Sequence, residues 1–386
     1  MIASIIFYVL FALTLSTLGK MEWVTTNRLY NRTGVYSNRW SVYTVLLLAI
    51  FILLCGLRYR TGVDCESYVE TLKTGKAVDS REDFELFFGW IVRGLRSLGA
   101  NRVIYLGILA SLEIIPFYYA LRSRKFLYQF VGLLLILGPF FLFWMNGIRQ
   151  CIAACFFVLA AVNFLDKGKK GKFVAALVIT VAAQFHTSAY ALLLFLIIPN
   201  KDYFRNRLIN IAILIACAVI GQTHLMNTYL ERFIGVEFEG AYELYLRHTE
   251  DFLVSESTMG YGPRRIVLLI VTLVTLWYAP GMKEQFKSDP LFLFSFNLFF
   301  IHACLGDNLL SNVHYIFRRP FYYTQPFMLI SFSYLLYYLK YFNKARNKQI
   351  VYLSVTAFAC LYMIIECLAT AGNNYETSLY KLYIGQ

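Results

Sequence analysis

Runs of apolar residues, each about 15 to 20 positions long and parted by short polar segments, make up most of this chain. Such a run crosses the roughly 30 Å hydrocarbon core of a bilayer as a helix, whereas a helix on a soluble protein carries an apolar stripe on one face only. The pattern predicts about twelve transmembrane or re-entrant helices, over residues 2–18, 41–57, 101–120, 127–145, 151–165, 173–185, 187–198, 208–222, 265–279, 290–305, 321–339 and 350–368. The chain therefore reads as all-α, one polytopic membrane domain over residues 1–386, with two larger polar segments at about 58–100 and 223–264. In the first of these, Phe84, Phe87, Phe88, Ile91, Leu95 and Leu98 recur at helical spacing, which predicts an amphipathic helix lying on the membrane surface.

Composition agrees, with 59% hydrophobic and 15% charged residues. The net charge of +13 does not describe a nucleic-acid surface, because the basic residues are scattered through short loops instead of gathered on one soluble face. No Lys or Arg precedes the first apolar run and Lys20 follows it, the reverse of a cleavable signal peptide. Residues 2–18 are therefore expected to form a retained helix with its N-terminus outside. Alternate loops, 19–40, 121–126, 166–172, 199–207, 280–289 and 340–349, hold 12 of the 15 lysines and are assigned to the cytoplasm. The arginines disobey that split, since 13 of 21 fall at the opposite, outer ends. A guanidinium is a planar fork that grips phosphate or carboxylate with two hydrogen bonds, so an outer face rich in Arg and poor in Lys predicts recognition of an anion. Pairing with acids of the same loops is the blander alternative. Seven of the eight cysteines lie in or beside apolar runs, leaving only Cys65 in a clear loop, and no disulfide framework or metal-ligand spacing follows. The 223–264 segment mixes Tyr and Phe with Glu and Arg, which suits sugar rings, although aromatics at a membrane surface also serve as anchors.

Residues 173–199 must hold two short helices, because a single span would place the later lysine-rich loops outside. Each is about 20 Å long, so the tip from Gln184 to Ser188 lies at or below the outer membrane surface. Loose backbone there is tolerated only beside a cavity, which places His186 in a crevice open to the outside. Arg149 is expected at the start of the 151–165 helix, and Arg318 and Arg319, before Pro320, at the start of the 321–339 helix. Helix N-termini favour anions. Asp307, Asn308, Asn312 and His314 add polar groups beside Arg318 and Arg319. Three anion-suited sites on one side of a membrane predict a phosphate-bearing amphiphile.

Arg58-x-x-x-Gly62-x-Asp64-x-x-x-Tyr68, then Glu85, then Asn146-x-x-Arg149-Gln150-x-x-Ala153, then His186-Thr187-Ser188 ending a short helix, resemble the EpsG-like family of bacterial surface-polysaccharide polymerases, a branch of the Wzy-type group. The likeness spans about residues 55–200. It implies a GT-C-like glycosyltransferase without a cofactor or metal, working on the outer face of the bacterial cytoplasmic membrane. A growing undecaprenyl-pyrophosphate-linked glycan would pass to an undecaprenyl-pyrophosphate-linked repeat unit, with membrane lipid around the protein and a flippase and chain-length regulator as pathway partners. His186, Asp64 and Glu85, in that order, are the candidate bases; Arg149, Arg318, Arg319 and either Arg58 or Arg60 would hold the pyrophosphate; Tyr68, Asn146, Gln150 and His314 would meet sugar. Competing readings are a metal-dependent GT-C transferase using Asp64 and Glu66 on lipid-monophosphate sugars, a lipid-linked oligosaccharide flippase, and a membrane acyltransferase built on His186.

Overall fold

The structure, a computed structural model, describes residues 1–75, 85–223, 225–226, 262–313, 315–343, 348–371 and 377–383. Helix α1 (Ile2–Thr33) is followed by α2 (Val42–Gly56), two short helices α3 (Cys65–Thr74) and α4 (Leu86–Ser97), and α5 (Arg102–Ala120). Then come α6 (Tyr128–Leu137), α7 (Phe141–Asn146), α8 (Ile148–Ala183), a 3-10 helix (Thr187–Leu196) and α9 (Arg207–Gly221). The rest is α10 (Pro263–Gln285), α11 (Pro290–Ile301), a π-helical turn (His302–Leu309), α12 (Tyr315–Tyr322), α13 (Gln325–Tyr341) and α14 (Lys348–Thr370). Six helices among the described residues are long and apolar enough to cross a membrane. The chain is an all-α, multi-pass membrane protein whose main core runs from Tyr8 to Tyr380.

Several expected boundaries move, each for a local reason. Helix α1 continues to Thr33 because nothing stops it before Gly34, which turns left-handed (φ 68°) and donates its N–H to the Tyr30 carbonyl. The expected 127–145 helix breaks at Gly138 and Pro139 into α6 and α7. The 151–165 and 173–185 helices are two arms of α8 that fold back at Gly168 (φ 58°), so close that a Cβ on Gly171 would meet the Asn163 carbonyl oxygen at 1.9 Å. The segment expected to be a helix over 187–198 is 3-10, which rises about 2 Å per residue and so makes more depth from few residues. Arg318, Arg319 and Pro320 lie inside α12, correcting the expectation that they begin a span; that span starts at Gln325 with Pro326 in its first turn.

Ion pairs sort the loops to two ends of the bundle. At the lysine-rich end, buried Lys125 donates to Glu22 (2.7 Å), Thr26 (3.1 Å) and the Arg39 carbonyl (2.5 Å). Arg124 joins Asp166 to Asp289, and Lys283 reaches Asp202. At the arginine-rich end, residues 377–383 form a strap. Tyr59 N–H donates to the Lys381 carbonyl, Gly62 N–H to Thr377 and Tyr383 N–H back to Leu57, while the Tyr8 hydroxyl holds the Ser378 carbonyl. The expected surface helix is α4, and Phe88 and Val92 tie it with α3 into a second apolar cluster over α5 and α8.

Candidate functional site

The tip of α8 and the start of α4 are joined by one backbone hydrogen bond, Phe87 N–H to the Gln184 carbonyl (3.1 Å). Glu85 and His186 stand two residues from that bond on either strand of chain, and His186 Nδ1 donates to Glu85 Oε1 at 2.7 Å. Glu85 occupies the N-cap position of α4, yet its carboxylate does not cap that helix. Its other oxygen accepts from Arg149 Nη1, in the first turn of α8. Burial alone would push the Glu85 carboxyl up, but the His186 hydrogen bond and the Arg149 charge outweigh it and hold the group below the ordinary glutamate range. A proton on Nδ1 of a neutral imidazole leaves Nε2 as the nitrogen able to accept another. The three side chains remain 22% (His186), 10% (Glu85) and 30% (Arg149) exposed, so the cluster is only partly buried.

Asp64 and Tyr68 lie four residues apart and so share one face of α3. Partial burial lifts the Asp64 carboxyl above the ordinary aspartate range, against the pull of Arg319 and Arg149. Tyr68 stands edge-on to Phe88 (6.0 Å), over which the Arg149 guanidinium also lies (5.4 Å). Gly62 turns the loop toward this face with φ +92°, and a Cβ there would meet Asn146 Oδ1 at 2.7 Å. Gln150 donates to the Arg319 carbonyl at 2.7 Å. Asp64, Tyr68, Glu85, Arg149, His186 and Arg319 are thus brought together.

Other expected residues fall elsewhere. Arg58 is only 1% exposed, its guanidinium turned inward onto the Cys55 carbonyl (3.1 Å), with Nε and Nη2 unpartnered. Arg60 is exposed beside the Tyr59 ring, and His314 lies outside the described residues, as does most of the 223–264 segment. Glu66, the second acid of the alternative metal pair, is held by Arg102 at 2.9 Å.

A cavity of about 360 Å³ opens beside α12. Asn146, Arg264, Arg265, Arg318, His302 and Asp307 supply much of its polar lining. His302, 4% exposed, was not singled out from the sequence. Its Nδ1 lies 2.8 Å from the Phe321 carbonyl, which can only accept, so the proton is on Nδ1; Nε2 lies 3.4 Å from Asp307. The pair is five residues apart, the repeat of a π-helix, and a search at helical period 3.6 passes over it. Tyr323, likewise missed, places its hydroxyl 2.8 Å from Ser188 and its ring beside His186.

Compared with known proteins, residues 41–382 match the EpsG family. No curated protein and no solved structure matches.

Proposed function

This chain belongs to the EpsG family, and from that premise we propose that it is a polysaccharide polymerase, a glycosyltransferase that joins lipid-linked repeat units. The observation that carries the reading is the Glu85–His186 pair with Arg149, open at the arginine-rich end of a membrane bundle. In the proposed reaction a sugar hydroxyl of one undecaprenyl-pyrophosphate-linked repeat attacks the anomeric carbon of the growing glycan. The bond from that carbon to its pyrophosphate oxygen breaks, and the lipid pyrophosphate leaves with the bonding electrons. His186 Nε2 takes the hydroxyl proton, and Glu85 holds the ring in the tautomer that can accept it and steadies the cation that results. Pyrophosphate is already a good leaving group, so the remaining work is to hold its growing charge and the acceptor in place, which falls to Arg149, Arg318 and Arg319. Asp64 is the second candidate for the base. Tyr68, Asn146 and Gln150 are the candidates for contact with sugar. The lysine bias of the other end assigns this end to the outside of the cytoplasmic membrane.

The test is the surface glycan of a deletion strain on a gel. Single repeat units in place of ladders are expected, restored by the wild-type gene. Full-length ladders lacking only acyl groups would favour an acyltransferase instead, and loss of single units as well would favour a flippase.

A further inference from the structure

We propose that Tyr323, on the turn between α12 and α13, is a positioning residue for His186: its ring limits the swing of the imidazole, and its hydroxyl holds the chain just beyond it. The effect on catalysis rests on the polymerase reading; the effect on the imidazole does not. His186 stands on extended backbone (φ −155°, ψ 106°) that leads from α8 into the 3-10 helix. The Nδ1 bond to Glu85 fixes one edge of its ring. A histidine χ2 is a broad, roughly two-fold torsion, so a bond at one edge leaves the plane able to swing, and a flipped ring would carry Nδ1 away from Glu85. A base that must present Nε2 to a hydroxyl therefore needs a second restraint.

The chain is held on both sides of His186. Before it, Phe185 is buried and packs its ring on Phe87 (5.9 Å) and Phe156 (5.9 Å). After it, Ser188 Oγ lies 2.8 Å from Tyr323 Oη. Between these points the Tyr323 ring runs alongside the imidazole, with centroids 6.3 Å apart and planes inclined by 33°. Phenylalanine would fill the same buried space; the tyrosine hydroxyl adds the tie to Ser188.

The turn that carries Tyr323 is itself fastened. On either side of Tyr323, His302 Nδ1 donates to the Phe321 carbonyl (2.8 Å) and lies 2.9 Å from Thr324 Oγ1. Gln325 donates to the Pro139 carbonyl (3.1 Å), and one turn earlier the Arg319 carbonyl accepts from Gln150 (2.7 Å). Gln150 adjoins Arg149, and Ser188 is two residues from His186. One short stretch, 319–323, thus grips the neighbours of both side chains that Glu85 bridges. Glu85 joins Arg149 to His186 from one side, and this stretch joins their chains from another.

The experiment reads the imidazole directly, by nitrogen NMR of the histidine-labelled full chain in lipid nanodiscs, with the His186 signal identified by its loss in His186→Gln. Wild type should carry its proton on Nδ1. Tyr323→Leu should populate the Nε2-protonated form, because the ring no longer stays on Glu85. Tyr323→Phe and Ser188→Ala should each shift the signal less and by equal amounts, and combining them should add nothing, since both break one bond. Turnover is measured in membranes supplied with lipid-linked single repeat units from a deletion strain. Tyr323→Leu should lower kcat about tenfold with KM kept within about twofold. Tyr323→Phe and Ser188→Ala should each lower it about two- to threefold. An imidazole with its proton on Nδ1 alone in Tyr323→Leu would overturn the proposal, as would wild-type kcat in that variant. Losses that multiply in the Tyr323→Phe, Ser188→Ala double variant would also overturn it, and these two mild variants decide the matter if Tyr323→Leu does not fold. Ladders lost on deletion with an imidazole indifferent to Tyr323 would sink the positioning role and spare the polymerase reading; the expected tautomer change with ladders intact on deletion would do the reverse.

Discussion

At the residue scale, the chemistry concentrates on His186 and the two side chains that orient it. If His186 takes the acceptor proton, His186→Gln, which keeps a hydrogen-bonding side chain but cannot take up a proton near neutrality, should slow chain extension by about 10²- to 10⁴-fold with lipid-substrate binding retained. Near wild-type polymerisation by that variant would move the base to Asp64. Arg149→Lys should lose most activity at normal expression, since a point charge cannot hold Glu85 and a phosphate oxygen with a planar fork; full activity would reduce Arg149 to a generic cation. Glu85 makes a third claim testable by pH. Its carboxyl is held below the ordinary range in the folded protein, so its contribution to stability is complete above about pH 4.3, the unfolded value, and is lost as pH falls through the lower folded value. A melting-temperature series should show Glu85→Gln less stable at neutral pH and missing that part of the acid loss; superimposable curves would refute the claim. Most of this cluster was legible, because charged residues at the ends of apolar runs are costly and so stand out. Arg58 shows the limit: sequence places an arginine at a helix end but cannot say that its guanidinium folds back among Cys55 and Met145. His302 was hidden for a different reason, that its partner lies at π-helical spacing.

At the scale of elements, existence was easier to read than extent. Hydrophobic runs mark where a helix lies in the bilayer but not how far it continues into water, so α1 outran its apolar run by some fifteen residues, to Gly34. The turn at Gly168 and the 3-10 helix after His186 were implied only by counting loops. Two junctions invite perturbation. Gly62→Ala would strain a left-handed backbone and push a methyl toward Asn146 Oδ1, with an expected cost of about 1–3 kcal/mol in unfolding experiments and a matching drop in activity. At the other end, Lys125→Met would leave Glu22, which is fully buried, without its cation and should destabilise by about 3–5 kcal/mol, whereas Glu22→Gln combined with Lys125→Met should recover much of the loss. Additive damage in the double variant would show that the pair is not coupled.

At the scale of the whole molecule, lysine counting divided the loops into two sets, and the ion pairs of the fold gather those same sets at opposite ends. Which end faces out is open to labelling: in a cysteine-less background, Gly75→Cys should react with an impermeant thiol reagent added from outside and Lys169→Cys should not. The reverse result would invert the map. What no local pattern could announce is the strap of residues 377–383, because its bonds join positions as much as 376 apart, as from Ser4 to the Tyr380 carbonyl. That separation carries a temporal consequence. Asp64, Glu85, Arg149 and His186 are all translated well before the segment that fastens the 57–62 loop. A ribosome stalled late in the message would therefore leave in the membrane a chain bearing every one of those charged side chains around a loop not yet tied down. Such a chain would lack the hydrogen bonds by which Thr377, Leu379 and Lys381 hold Gly62, Thr61 and Tyr59, so the loop that leads into Asp64 would have only its own turns to shape it.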